Sequence, residues 1–196
     1  PRWARIFDFA QGEADDNFLL ALQGTTGKLT LRSWVGGSQS SLNDGAGAPD
    51  PYGVVPTDGT WLHVATTISG SAGATGSGTG KMYVNGTLVA ESNSMHVPAE
   101  LTRDEQYLGK SNWSHDQYFD GQMDEFAIWG SALSANDIQS VYTDGANNLA
   151  TAPAYYWQFD QSTGTELTAT RGNQQGTLTN MANNDWGAST APPLAA

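Results

Sequence analysis

The run from Tyr107 to Tyr142, YLGKSNWSHDQYFDGQMDEFAIWGSALSANDIQSVY, sets the terms for the rest of the chain. It reads as a strand, a long polar loop, a turn at Gly121, a second strand and a short helix. After the turn the residues alternate. Asp124, Phe126 and Ile128 share one face of a strand, and Glu125, Ala127 and Trp129 share the other. A carboxylate at Asp124, beside two apolar residues, calls for a metal ion, a basic partner or several backbone N–H groups. Ser134 stands where a helix N-cap belongs, with Asp137 three residues later, a capping-box spacing. Ile138, Val141 and Tyr142 then give about two turns of apolar helix face.

Elsewhere the chain is a series of short strands between turn-forming residues. Over Arg5 to Phe9, Phe7 and Phe9 lie on one face, with Ile6 and Asp8 on the other. Glu13, Asp15, Asp16 and Asn17 then crowd together. Such residues form turns and also bind Ca2+, although no EF-hand spacing is present. Phe18 to Leu22 has almost no polar face and is expected to be a central, buried strand. From Lys28 to Trp34, Leu29 and Leu31 point inward while Arg32 and Trp34 point outward. A Trp beside an Arg on a sheet face suits sugar stacking or burial beneath a loop. Val35 to Val55, with Asn43, Asp44, Asp50 and Tyr52, is a candidate cover. Trp61 to Ile68 predicts a strand with Leu62, Val64, Thr66 and Ile68 inward and His63 outward. Asn85-Gly86 predicts a type I′ hairpin turn, with Met82, Val84 and Leu88 on the inner face.

Composition narrows the function classes. Seven Trp, seven Tyr and six Phe in 196 residues suffice for a core, and 23 Gly suit a turn-rich β fold. With no cysteine there is no disulfide framework and no thiolate metal site. A net charge of −12 argues against nucleic acid as a partner. It also disfavours anionic polysaccharides unless a divalent cation bridges them, and it suits Ca2+ binding. No apolar run reaches membrane-spanning length, and no signal peptide is visible.

The Leu108 to Tyr142 run resembles the last core strands of bacterial laminin-G-like domains, in the concanavalin A-like lectin/glucanase superfamily. RIFDFAQGEADDNFLLALQG, WLHVATTISG and GKMYVNGTLVAES match the same pattern in the same order. The resemblance runs from about Trp3 to Tyr142. It implies an all-β, two-sheet antiparallel jelly-roll sandwich with one short helix near 134–142. Residues 1–145 would form the core, with the family's opening strands missing or rearranged. Residues 146–190 would form a strand-rich tail that packs back, burying Tyr155, Trp157 and Phe159, or that begins another repeat. Residues 191–196 read as a linker remnant. The superfamily holds lectins, adhesion modules and hydrolases alike.

The Ser111 to Asp120 loop is the candidate ligand site. Asn112, Trp113, His115, Asp116, Gln117 and Tyr118 combine aromatic faces for sugar C–H patches with amide and carboxylate groups for hydroxyls. The competing reading makes Trp113 and Tyr118 rim aromatics packed on the sheet. The resemblance implies a structural Ca2+ near the sandwich edge, with Asp124 as its first candidate ligand and Asp120 and Asp8 next. A carboxylate bonded to backbone N–H groups is the alternative. Asp124 and Glu125, adjacent on a strand, point oppositely and cannot serve as the paired carboxylates of glycoside hydrolysis. No nucleophile triad, metalloprotease motif or nucleotide motif is present. The expectation is a non-catalytic, Ca2+-supported carbohydrate-binding or adhesion module of an exported bacterial protein. Its partner would be a glycan or cell-surface polysaccharide, without membrane insertion. A protein-binding spacer without a sugar site, or a lyase or hydrolase on the same fold, are the alternatives.

Overall fold

The structure, a computed structural model, describes residues 2–45, 54–187 and 191. Asp50 and Tyr52 lie outside the described residues. The chain divides into two compact units, residues 1–120 and 121–196.

The first unit holds β1 (Arg5–Ala10), β2 (Phe18–Leu22), β3 (Leu29–Val35), β4 (Ser38–Asn43), β5 (Val64–Ser69), β6 (Gly78–Val84), β7 (Thr87–Met95) and β8 (Glu105–Leu108). One antiparallel sheet has the order β4-β3-β2-β1-β8 and the other the order β5-β6-β7. Directly paired residues share a face, so the register explains the burial. Leu108, Phe7, Leu20, Leu31 and Leu42 form one row across the first sheet. Four of these five are buried, Phe7, Leu20, Leu31 and Leu42, and form the inner face. The adjacent row, Tyr107, Asp8, Leu19, Arg32 and Ser41, lies on the opposite face. Leu19 and Ala21 are buried there too, so central β2 is covered on both sides as its apolar sequence predicts.

Three details depart from simple alternation. A register shift between Arg5 and Phe7 inserts Ile6 as an extra residue, and Arg5 pairs with Ala21 while Phe7 pairs with Leu20. The bulge therefore turns Arg5 away from the Phe7 side and onto the outer face with Asp8. The stretch expected as a loop after Val35 turns at Gly36 (φ 57°) and Gly37 (φ 75°) and returns as β4. Across the Asn85-Gly86 turn (φ 48° and 76°), a second shift pairs Ala90 with Met82 and Leu88 with Tyr83. Ala90, not Leu88, thus shares the face of Met82.

β5 begins at Val64, not at Trp61, because the His63 N–H donates to the Asn85 Oδ1 at 3.0 Å instead of to a ladder carbonyl. The two sheets meet along β4. The Gly45 N–H donates to the Val89 carbonyl at 3.1 Å, and the His96 N–H to the Ser40 Oγ at 2.7 Å. His96 Nδ1 accepts from the Gly76 N–H at 2.8 Å, which ties the 70–77 loop to the same seam.

Central strand β6 begins at Gly78, where a Cβ would collide with Val97 and come within 3.0 Å of the Met95 carbonyl oxygen and 3.1 Å of the Ser69 carbonyl oxygen. Backbone cannot yield as a flexible side chain can. Gly78→Ala is expected to cost about 1–3 kcal/mol, read as a lowered urea midpoint.

The second unit holds β9 (Phe126–Ile128), α1 (Ala135–Asp144), β10 (Tyr155–Trp157), β11 (Glu166–Thr168) and β12 (Gln175–Thr177). β9 pairs with β10 and β11 with β12, both antiparallel. The helix starts as its sequence requires. Ser134 Oγ accepts from the Asp137 N–H, and Asp137 returns the bond to the Ser134 N–H. Ile138 and Val141 are its buried face. Val141, Ala146 and Tyr156 form a cluster joined by Ala127, Trp129, Leu133 and Leu149. In the tail the buried aromatic is Tyr156, while Tyr155, Trp157 and Phe159 are half-buried. Tyr156 pairs with Ala127 and turns toward the helix cluster. Trp157 lies against Phe126, with ring centroids 6.0 Å apart, on the other face.

Candidate functional site

The outer face of the five-stranded sheet in the first unit carries a shallow cavity of about 230 Å³. Its walls are Trp3, Arg5, Arg32, Trp34, Gln39, Trp113, His115 and Asp116. Arg32 and Trp34 are presented by β3, as alternation predicts, and Gln39 by β4 opposite Trp34. Trp113 and Asp116 come from the Ser111 to Asp120 loop. Trp34 is covered by Trp113, with centroids 5.2 Å apart, and both pack with Leu19 and Ala21. The 111–120 loop thus lies over Trp34, and residues 46–53 of the Val35 to Val55 candidate cover are outside the described residues.

Beneath the cavity lies a buried ion network centred on Arg5. Its Nη2 donates to Asp116 Oδ2 at 2.7 Å, its Nη1 donates to the Trp3 carbonyl at 2.5 Å, and its Nε lies 3.5 Å from Asp8 Oδ2. Asp8 is fully buried, and it also accepts from Asn17 Nδ2 at 2.9 Å and from the Asn112 N–H at 3.0 Å. Asp116 accepts further from Ser111 Oγ at 2.9 Å. These bonds fasten the loop to β1, because each carboxylate on one side meets donors from the other. Charges so far from water persist only with such partners.

The predicted loop residues therefore divide. Asp116 and Asn112 face inward. Asp116 is committed to Arg5 and Ser111, and the Asn112 side-chain amide is buried. Trp113 is half-buried against the sheet and still lines the cavity. His115, with 74% of its side chain exposed, stands at the rim, its Nε2 3.8 Å from Asp116 Oδ1. Tyr118 is 63% exposed and does not line the cavity. Trp3, Arg5 and Gln39 belong to the site without having been expected there.

Arg32 differs from Arg5 in its surroundings. Its guanidinium lies 4.3 Å over the Trp3 ring, and its Nη1 donates to Gln39 Oε1 at 3.3 Å. Burial first, then repulsion by Arg5, lowers its proton affinity against an opposing pull from Asp116. It remains cationic, since guanidinium does not deprotonate in proteins.

The candidate metal ligands are not alike. Asp8 does not fit a Ca2+ shell, since its oxygens already face a guanidinium and two N–H donors. Asp120 is exposed. In the 13–17 run, Ala14 (φ 59°) and Asp16 (φ 51°) shape a turn closed by Gln11 N–H to the Asp15 carbonyl at 3.1 Å. The turn reading of that run is the one realised.

Near Asp124 the strand pattern breaks, because Glu125 sits at φ 57° and β9 begins only at Phe126. Asp124 is therefore not in register with Phe126 and Ile128. Glu125 is the carboxyl held out of water here. Burial first, then Asp124 and Asp160, pushes its pKa up to about 7, and its Oε2 is buried without a hydrogen-bond partner among the described residues. Among the described residues no three His, Asp or Glu side chains converge as a metal cage. A cation at Asp124 would need Glu125 Oε2 and backbone carbonyls, a donor set of the right chemistry.

Residues 1–139 match the laminin-G family model described as the concanavalin A-like lectin/glucanases superfamily. No curated protein and no solved structure matches the chain.

Proposed function

The chain belongs to the laminin-G-like family of the concanavalin A-like lectin/glucanase superfamily, and from that premise we propose that it is a non-catalytic carbohydrate-binding module of an exported protein. The observation behind this reading is the outer-face cavity, where Trp3 and Trp113 stand beside Gln39, His115 and Arg32. Aromatic faces with a few convergent polar groups are what a saccharide requires. At about 230 Å³ the cavity is smaller than a pocket for a drug-sized ligand, so it suits one sugar residue at a chain end.

Catalysis is disfavoured by the same geometry. The two carboxylates at this site, Asp8 and Asp116, are held by Arg5, and neither is free to act as acid or nucleophile. No helix among the described residues is long and apolar enough to cross a membrane. A supporting Ca2+ is part of the proposal at Asp124 with Glu125, and at neither Asp8 nor Asp120.

A glycan array run with and without chelator tests the proposal. Binding to at least one saccharide is expected, weakened about tenfold by Trp3→Ala through loss of ring contact. Excess chelator is expected to lower the melting temperature by mass action. An unchanged melt removes Ca2+ from the account. Silence on every glycan rejects the sugar reading and favours a protein-binding spacer.

A further inference from the structure

The two guanidinium groups of the cavity have different roles. Arg5 is committed within the protein: its Nη1 donates to the Trp3 carbonyl, its Nη2 donates to Asp116, and its Nε lies 3.5 Å from Asp8 in an ion pair. Arg32 has one long bond, to the neutral Gln39, and its Cζ lies 4.3 Å over the Trp3 ring. No carboxylate among the described residues lies within ion-pair distance of it, and its Nη2 has no hydrogen-bond partner among them. Both nearby acids, Asp8 and Asp116, are turned to Arg5. Of its charged neighbours, Arg5 repels Arg32 more strongly than Asp116 attracts it.

A positive, under-bonded guanidinium in a Trp-lined hollow is unexpected in a chain of net charge −12. An arginine needed only to cover Trp3 would gain by pairing with one of the many carboxylates. The Trp3 contact and the Gln39 bond restrain the guanidinium and leave its Nη2 for an acceptor from outside. A guanidinium held in this way suits a planar anion.

Building on the sugar reading above, we propose that the cavity selects saccharides ending in a uronic acid, whose carboxylate Arg32 receives while Trp3 and Trp113 frame the sugar ring. The acidic surface limits the ligand further. Beyond a Debye length of about 10 Å at 0.1 M salt the protein's charge is screened, but a densely acidic polymer lying along the surface meets the negative field directly. The composition's argument against polyanions and the local preference for one carboxylate are therefore compatible: a single acid at a chain end fits both.

The test compares three trisaccharides by calorimetric titration of the full chain. One ends in glucuronic acid, the second is its methyl ester, and the third is a neutral trisaccharide sulfated on its terminal residue. The acid is expected to bind about tenfold or more tighter than the ester, the value of a charge-assisted bond. Arg32→Gln is expected to bring the acid down to the affinity of the ester, and Arg32→Lys to restore part of the difference. The acid–ester comparison needs no variant, so it stands even where Arg32→Gln fails to fold. Equal binding of acid and ester in the unaltered protein overturns this inference and leaves the sugar reading intact. Tighter binding of the sulfated ligand overturns the choice of carboxylate. Binding of none of the three, with silence on a glycan array, overturns both readings together.

Discussion

Replacing Arg5 by methionine is expected to cost the first unit about 3–5 kcal/mol, the penalty for leaving buried charge without its partner. The side chain is nearly inaccessible, and so are both of its carboxylate partners. Methionine fills much of the same volume, so the loss is electrostatic and not a cavity effect. Two carboxylates, Asp8 and Asp116, would then share a buried site that has lost its cation. Asp116→Asn should lower stability by less, because Arg5 keeps Asp8. In the Arg5→Met background the same change should recover part of the loss, since it removes one of the two stranded charges. A coupling energy above about 1 kcal/mol in that double-mutant cycle is expected for residues sharing one network. Urea unfolding followed by tryptophan fluorescence reads all four proteins. Arg5→Lys should fall between, because a single ammonium cannot reach both acids as the planar fork does. A loss under 1 kcal/mol for Arg5→Met would show that the loop is held by the Trp113–Trp34 packing and not by the ions.

How much of this was legible in the sequence depends on how local each signal is. The helix cap and the 85–86 turn are written in nearby residues, Ser134 with Asp137 and Asn85 with Gly86, and both form as read, while the shift beyond the turn moves Leu88 off the face of Met82. Period-two alternation placed Asp8, Arg32 and Trp34 on the correct face. Composition alone marked the 111–120 loop. What stayed hidden depends on single-residue shifts. Counting by twos from Phe7 puts Arg5 in the core, and only the bulge at Ile6 brings it to Asp8. Gly36-Gly37 read as the start of a loop, yet as a two-residue turn it delivers Gln39 opposite Trp34. Counting by twos also put Asp124 with Phe126, and the left-handed backbone at Glu125 defeats it. One residue of slip reverses every face that follows, so a site built across bulges and turns shows in the sequence only as separate pieces.

Acid and base are expected to act on the two units in opposite directions. His63, in the first unit, is mostly buried, and burial lowers its pKa from 6.5 to about 4. A base whose folded pKa is depressed contributes stability that is intact above 6.5 and lost as pH falls through 4. The full shift corresponds to about 3 kcal/mol. Glu125, in the second unit, is raised from 4.5 to about 7. An acid so raised contributes stability that is intact below 4.5 and lost as pH climbs through 7. Glu125 is half-exposed, and solvent screening reduces its share to about 1–2 kcal/mol. Between pH 4.5 and 6.5 the two slopes oppose each other, which flattens the dependence of the whole chain. Single substitutions should uncover them. His63→Gln is expected to raise the melting temperature at pH 4.5 and leave it nearly unchanged at pH 8. Glu125→Gln should do the reverse, raising it at pH 8 and leaving it nearly unchanged at pH 4.5. Calorimetric scans of the full chain at the two pH values measure both, and chelator in every scan keeps a cation at Asp124 from masking the glutamate. Were each variant to shift the melt equally at both pH values, burial of these two groups would have no bearing on the protein's response to pH. Their effects would then come from packing alone.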